Sequence, residues 1–196
     1  TDDRFAKYVG ALMGLALPST LGRDALSDRA KLFYAGRLGP GPRSAAGLAD
    51  IVAGTFGVPA QVQSFIGTWL DIPSADRWRL GGAPTTSTLG RTATIGARVW
   101  TTTQKFRIVL GPMPADRLDS LLPGGRALEE LSALVRFYTN EEWEWDLHIK
   151  LHADRSAPLA LGKGARLGWS SRLGAASGER TDLLVDPRSA RTTRLS

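Results

Sequence analysis

One stretch constrains this chain more than any other. It is Arg43–Ile72, RSAAGLADIVAGTFGVPAQVQSFIGTWLDI. Ser44 stands at an N-cap position, directly after the turn-forming GPGP of residues 39–42 and Arg43. Leu48, Ile51, Val52, Thr55 and Phe56 then fall on one helical face. Gly57 supplies a stop, and Pro59 cannot continue a helix. From Val58 the pattern alternates, with Val58, Ala60 and Val62 on one side and Gln61 and Gln63 on the other. That predicts a strand over 58–72 with one wet face. The plan is a helix, a tight Gly-Val-Pro turn and a strand, and the chain is expected to use it twice.

Upstream, residues 2–15 read as a helix with Phe5, Val9, Leu12 and Met13 on one side, ended by Pro18. Residues 24–37 read as a second helix with Leu26, Ala30, Phe33 and Tyr34 inward. Downstream, residues 73–94 are rich in Pro, Gly, Ser and Thr and have no sustained period, which marks a long loop. Strand alternation returns at 98–111, with Phe106, Ile108 and Leu110 inward and Arg107 and Val109 outward, closed by Pro112 and Pro114. Residues 115–122 make a short helix, broken by LPGG. A longer one follows over 125–138, with Leu128, Leu131, Leu134 and Val135 inward. Residues 143–151, WEWDLHIKL, alternate Trp143, Trp145, Leu147, Ile149 and Leu151 against a wet face of Glu144, Asp146, His148 and Lys150. A second Gly/Pro loop spans 153–166, and a polar, basic tail runs from Gly174.

The two loops end alike. Residues 89–96 are LGRTATIG and residues 161–168 are LGKGARLG, both fitting Leu-Gly-[Arg/Lys]-x-Ala-x-[Ile/Leu]-Gly. Each lies downstream of a helix and a strand. Similar turns built on glycine would look like this, and so would a degenerate duplication that offers two related loops to two copies of one partner.

The length, 196 residues, suffices for a real core, and 42% hydrophobic against 22% charged residues excludes wholesale disorder. No apolar run reaches the roughly 18–20 residues of a membrane span. Cysteine is absent, so disulfides and thiolate metal sites are excluded. The net charge of +6 raises nucleic acid or an acidic partner as candidates. The arginines are dispersed, however, without a basic block or stripe.

Chemistry has few footholds. His148 and His152 are the only histidines, and on a strand they lie about 13 Å apart, too far to share one ion. HExxH, GxSxG, the P-loop and a strand-linked GxGxxG are all missing. Glu141, Glu142, Glu144 and Asp146 cluster, but they alternate with tryptophans, as an exposed strand face does. No catalytic constellation, metal site or cofactor site emerges, and no enzyme activity is expected. Trp69, Trp100, Trp143 and Trp145 fall in predicted strands and are assigned to the core, and Trp169 to the base of the second echo. Trp78, between Arg77 and Arg79, lies in a loop without apolar register. It either folds back on the core or anchors an interface.

Taken in order, YAGRL, RSAAGLADIVAGTFGVPAQVQSFIGTWLDI, IGARVW, KFRIVLGPM, LLPGG, LVRFYT and LGWSSRL resemble the TssG (ImpH/VasB) family of type VI secretion baseplate subunits, from Phe33 to Leu173. The FNHR-like motif of that family's early region is absent, so the chain is expected to correspond to the later part of such a protein. The resemblance implies a cytoplasmic structural protein of a baseplate docked at the inner-membrane complex. It would work in a hetero-oligomer with TssF-like, TssK-like and TssE-like proteins, with no nucleic acid and no membrane insertion. It also implies extended loops that act as feet on TssK-like adaptor trimers. Residues 73–96 and 153–168 are assigned as these feet. Their partner-binding residues would be Arg77, Trp78, Arg79, Leu80, Leu89 and Gly90 in the first, and Leu159, Leu161, Gly162 and Lys163 in the second. A basic nucleic-acid-binding module and a hydrolase using His148 or His152 are the alternatives.

The expected fold is α+β, with antiparallel strands and packed amphipathic helices. It begins with an N-terminal helical segment, 1–39. Two loosely similar halves follow at 40–112 and 113–173, and then the tail, 174–196.

Overall fold

The computed structural model describes residues 4–12, 14, 15, 17–39, 41–82, 85, 88, 90, 91, 93–152, 169 and 180–187. The fold is α+β, as expected. Its helices are α1 (Arg4–Leu12), α2 (Asp28–Phe33), α3 (Ala35–Leu38), α4 (Ala45–Phe56), α5 (Leu118–Leu121) and α6 (Arg126–Thr139). Its strands are β1 (Ala60–Gln63), β2 (Thr68–Asp71), β3 (Arg98–Thr101), β4 (Lys105–Met113), β5 (Glu144–Leu151) and β6 (Arg180–Val185). The chain divides into a body, Thr1–Gln63 with Phe106–Ser196, and a second unit, Ser64–Lys105.

Helix α4 forms for the reasons its sequence gives. Ser44 is extended, and its Oγ accepts from the Gly47 N–H at 3.0 Å. Leu48, Ile51 and Val52 are buried. Gly57 turns left-handed at φ 62°, and its N–H closes the helix on the Ala53 carbonyl. Helix α6 repeats the plan. Leu128, Leu131, Leu134 and Val135 are buried, and Asn140 adopts φ 54° where α4 has Gly57. Strand β5 follows.

The body holds one four-stranded sheet in the order β1-β4-β5-β6. β1 pairs antiparallel with β4, Gln63 opposite Arg107, and β5 pairs antiparallel with β6, Leu147 opposite Val185. The central pair runs the other way. The His152 N–H donates to the Met113 carbonyl, Gly111 meets the Lys150 backbone, and Arg107 meets Asp146, so the partners keep one constant separation of 39 residues. β4 and β5 are therefore parallel, and α5 and α6 form the crossover that parallel strands require. At Gly111, φ is 120°, and a Cβ would overlap the Lys150 carbonyl, so glycine is needed at this seam. Ile108, Leu110, Leu147 and Ile149 join Ile51, Val52, Leu131 and Leu134 in a single core.

Several expectations need correction. The predicted strand over 58–72 is two strands in different sheets, interrupted at Phe65, whose φ is 63°. The helix over 24–37 is two short ones meeting at Tyr34, and Phe33 points outward. Leu12 is exposed as well. Trp69, Trp100 and Trp143 are exposed and only Trp145 packs on the core, together with Trp169. The expected wet faces are not wet throughout. Asp146 is 2% exposed and Val109 is buried. Residues 180–185, read as tail, form β6. In the 73–94 stretch Thr85 is helical, against the expected loop, and no other described residue there is in a helix or strand. Of the echo, Gly90, Arg91 and 93–96 are described. Leu89 and the whole of 153–168 lie outside the described residues.

Candidate functional site

The body's first notable constellation joins the starts and ends of its helices. Arg43 Nη1 donates to the carbonyls of Phe137 and Tyr138, and Nη2 donates to the Leu38 carbonyl at 2.9 Å. The guanidinium thus sits on the carbonyl ends of α3 and α6, where a cation complements the helix dipole. Tyr138 answers it. Its hydroxyl donates to the Ser44 carbonyl at 2.9 Å and accepts from the Ser44 N–H at 3.0 Å. Gly47 leaves room, since a Cβ there would lie 2.7 Å from Tyr138 Oη. RSAAGL and LVRFYT, two separate blocks of sequence, are therefore two halves of one clasp.

Buried charges in the body are spent in the same way, on structure. Lys31 is 1% exposed, holds Asp24 at 2.9 Å and Asp28 at 3.3 Å, and lies over the Phe137 ring. Arg107 makes two bonds to Asp146, Nε–Oδ1 at 2.6 Å and Nη2–Oδ2 at 2.9 Å. Those hydrogen bonds and the carboxylate's charge outweigh burial and hold the Arg107 guanidinium above its ordinary range.

A hollow of about 590 Å³ beside the clasp is lined by Asp24, Arg43, Arg136 and Glu141 among others. Its charges are already committed to one another. Asp24 holds Lys31, Arg136 holds Glu141 at 2.7 Å, and Arg43 holds the helix ends. Of the histidines, His152 is exposed and gives its backbone N–H to Met113, and His148 is half-buried. Neither lines this hollow. Among the described residues, no group of three His, Cys, Asp or Glu side chains is placed to hold a metal, and no helix is long and apolar enough to cross a membrane.

The second unit carries the residues singled out for binding. β2 and β3 form a two-stranded antiparallel sheet, with Thr68 opposite Thr101 and Asp71 opposite Arg98. The 73–97 segment joins their far ends. Arg77 is pinned at the base of that segment, its Nε donating to the Ile72 carbonyl at 2.8 Å. Trp78 is 38% exposed and Leu80 is 90% exposed, so neither folds into a core. Arg79 is exposed and engaged in an interaction of its own. Gly90 sits in a turn at φ 77°. The structure thus brings Arg77, Trp78, Arg79 and Leu80 together in one run; Leu89, Leu159, Leu161, Gly162 and Lys163 lie outside the described residues.

This unit also holds what the sequence reading missed. Trp69 and Trp100 face each other across the ladder with ring centroids 5.2 Å apart, edge to face. They are 59% and 54% exposed. The Trp100 ring covers Gly67, where any side chain would collide with it. Phe65 and Ile95 are exposed nearby in sequence. Alternation alone assigns such tryptophans to a core. The sign that overrides it is the length of the two strands, four residues each with a long Gly/Pro segment between them, which gives them no second layer.

The body sets helices against a mixed sheet and pairs its buried Lys31 and Asp146 internally, and the second unit is a short ladder with an exposed tryptophan pair. The family model for TssG of type VI secretion matches residues 1–174. The chain belongs to the TssG family. Its fold is similar to a chain of a TssK–TssF–TssG baseplate subcomplex of the type VI secretion system solved by cryo-electron microscopy. The TM-score is 0.68 at 19% identity, over 94% of this chain and 80% of that one. A second similar chain comes from a type VI secretion baseplate complex, with a TM-score of 0.58 at 20% identity over 95% and 54% of the two chains. No curated protein matches in sequence.

Proposed function

We propose that this protein is a structural wedge component of a type VI secretion baseplate, linking TssF-like subunits to TssK-like adaptor trimers through two extended loops, with no reaction of its own. The observation that carries this reading is the Ser64–Lys105 unit, a ladder whose loop exposes Trp78 and Leu80 just after Arg77, which is pinned to the Ile72 carbonyl. The two similar folds were solved in baseplate assemblies, one with TssK and TssF. Residues 73–96 and 153–168 are the two feet, one from each of the halves 40–112 and 113–173. Apolar side chains of each foot fill a groove on an adaptor trimer, and Arg77, Arg79 and Lys163 lie on its polar rim. Linking two such contacts makes the second intramolecular and raises avidity. A TssE-like protein is a further neighbour, and the assembly sits on the cytoplasmic side of the inner-membrane complex.

The test is co-expression with TssF-like and TssK-like partners followed by mass determination of the purified complex. The wild-type chain is expected to capture both. Trp78→Ala combined with Leu161→Ala is expected to lose the TssK-like protein, and undiminished capture would count against these anchors.

A further inference from the structure

We infer that the groove between α6 and the start of β5 is a docking site for the chain's own basic tail, residues 188–196. The groove has a volume of about 290 Å³, at the lower edge of small-ligand cavities and of a size that takes side chains. Val135 from α6, with Trp143 and Trp145 around the start of β5, gives it an apolar lining. Val135 belongs to the core and Trp145 packs on it, whereas Trp143 leaves 46% of its surface in water. Glu141, Glu142 and Glu144 line the same groove against one cation among the described residues, Arg136, which Glu141 holds at 2.7 Å. The groove therefore joins a half-exposed indole to a surplus of negative charge. A guanidinium fits that pair, since it stacks on the ring and donates to carboxylates at its edge.

Two observations identify the occupant. β6 runs antiparallel to β5, with Leu147 opposite Val185, so the chain leaves β6 beside the start of β5, and the buried Pro187 lines the groove. The sequence after Pro187, RSARTTRLS, contains Arg188, Arg191 and Arg194 and no aspartate or glutamate. A basic segment is thus tethered at the wall of an acidic, aromatic groove, and the tether keeps its effective concentration high. At roughly 3.3 Å per residue, Arg188 and Arg191 are both close enough to Pro187 to reach it. Seating the tail would also anchor β6, the edge strand of the sheet.

The experiment is limited trypsin digestion of the full chain, with cleavage after Arg188 and Arg191 followed by mass spectrometry. A synthetic peptide of residues 184–196 is the reference for an undocked tail. At low salt the wild-type tail is expected to be cut about tenfold more slowly than the peptide, because cleavage tracks the population of the open form. High salt is expected to narrow the difference. Trp143→Ala, and separately Glu142→Gln with Glu144→Gln, are expected to bring the rate to within about twofold of the peptide. Amide exchange across β5 and β6 verifies that the strands persist in these variants. Arg191→Glu alters only the tail, and cleavage after Arg188 is then expected to match that of a peptide carrying the same change. A wild-type tail cut as fast as the peptide would overturn the inference. Protection that survives any of the three changes would overturn it too, because the tail would then be held elsewhere.

Discussion

Asp146 shows what a single side chain contributes here. It is nearly water-free on a sheet face, and Arg107 satisfies both of its oxygens. Arg107→Ala would take away the guanidinium that holds both oxygens of a buried carboxylate. With the guanidinium a quarter exposed, the expected loss is about 2–3 kcal/mol, measured by urea unfolding. Arg107→Met with Asp146→Leu removes both charges together and is expected to recover most of that loss. The clasp behaves differently, because its groups are neutral on one side. Tyr138→Phe deletes the hydroxyl that serves both Ser44 backbone groups, and about 1–2 kcal/mol is expected from the same measurement. Neither pairing was legible beforehand. Ser44 and Gly57 could be read because caps act within a few residues of their own position, whereas the partners of Arg43 and Arg107 come from across the fold, 94 and 39 residues away. Alternation marked Asp146 as polar and therefore wet; a polar side chain with a fixed partner obeys the same pattern while buried.

Elements were legible where one pattern ran for three turns or more. Helices α4 and α6 fall within a residue or two of their expected bounds. Their stops differ in chemistry and agree in geometry, Gly57 at φ 62° and Asn140 at φ 54°. Gly57→Ala is expected to destabilise the body by about 1 kcal/mol, read from the unfolding midpoint, because a Cβ disfavours the left-handed region. The short strands were not legible. Residues 58–72 look continuous by alternation, yet Phe65 at φ 63° breaks them, and only the pairing partners reveal the two sheets. β6 was hidden for another reason. RTDLLV is six residues with a polar start, and its place is set by Leu183 and Val185 meeting β5. The tryptophans of β2 and β3 were misassigned because periodicity tells which residues share a face, and only a second layer decides whether that face is covered.

In the whole molecule, Gln63 and Arg107 lie directly opposite each other, so the body closes on itself where the second unit is inserted. Replacing residues 64–105 with Asn-Gly is therefore expected to leave a cooperatively unfolding body with helical circular dichroism retained, because a short hairpin turn can join β1 to Phe106. The same variant should lose the adaptor in the co-purification above. A body that unfolds when so trimmed would show that the second unit is needed for folding as well as for contact. The parallel seam has a mechanical consequence. β1 hands over to β4 at the end of the sheet where β4 starts, and β5 hands over to β6 at the end where β5 finishes. With β4 and β5 parallel, those two ends are opposite. If the proposed feet at 73–96 and 153–168 are both gripped, tension between them would run lengthwise through β4 and β5, loading every rung of that ladder at once in shear, where a hairpin pulled at its open end peels apart one rung at a time.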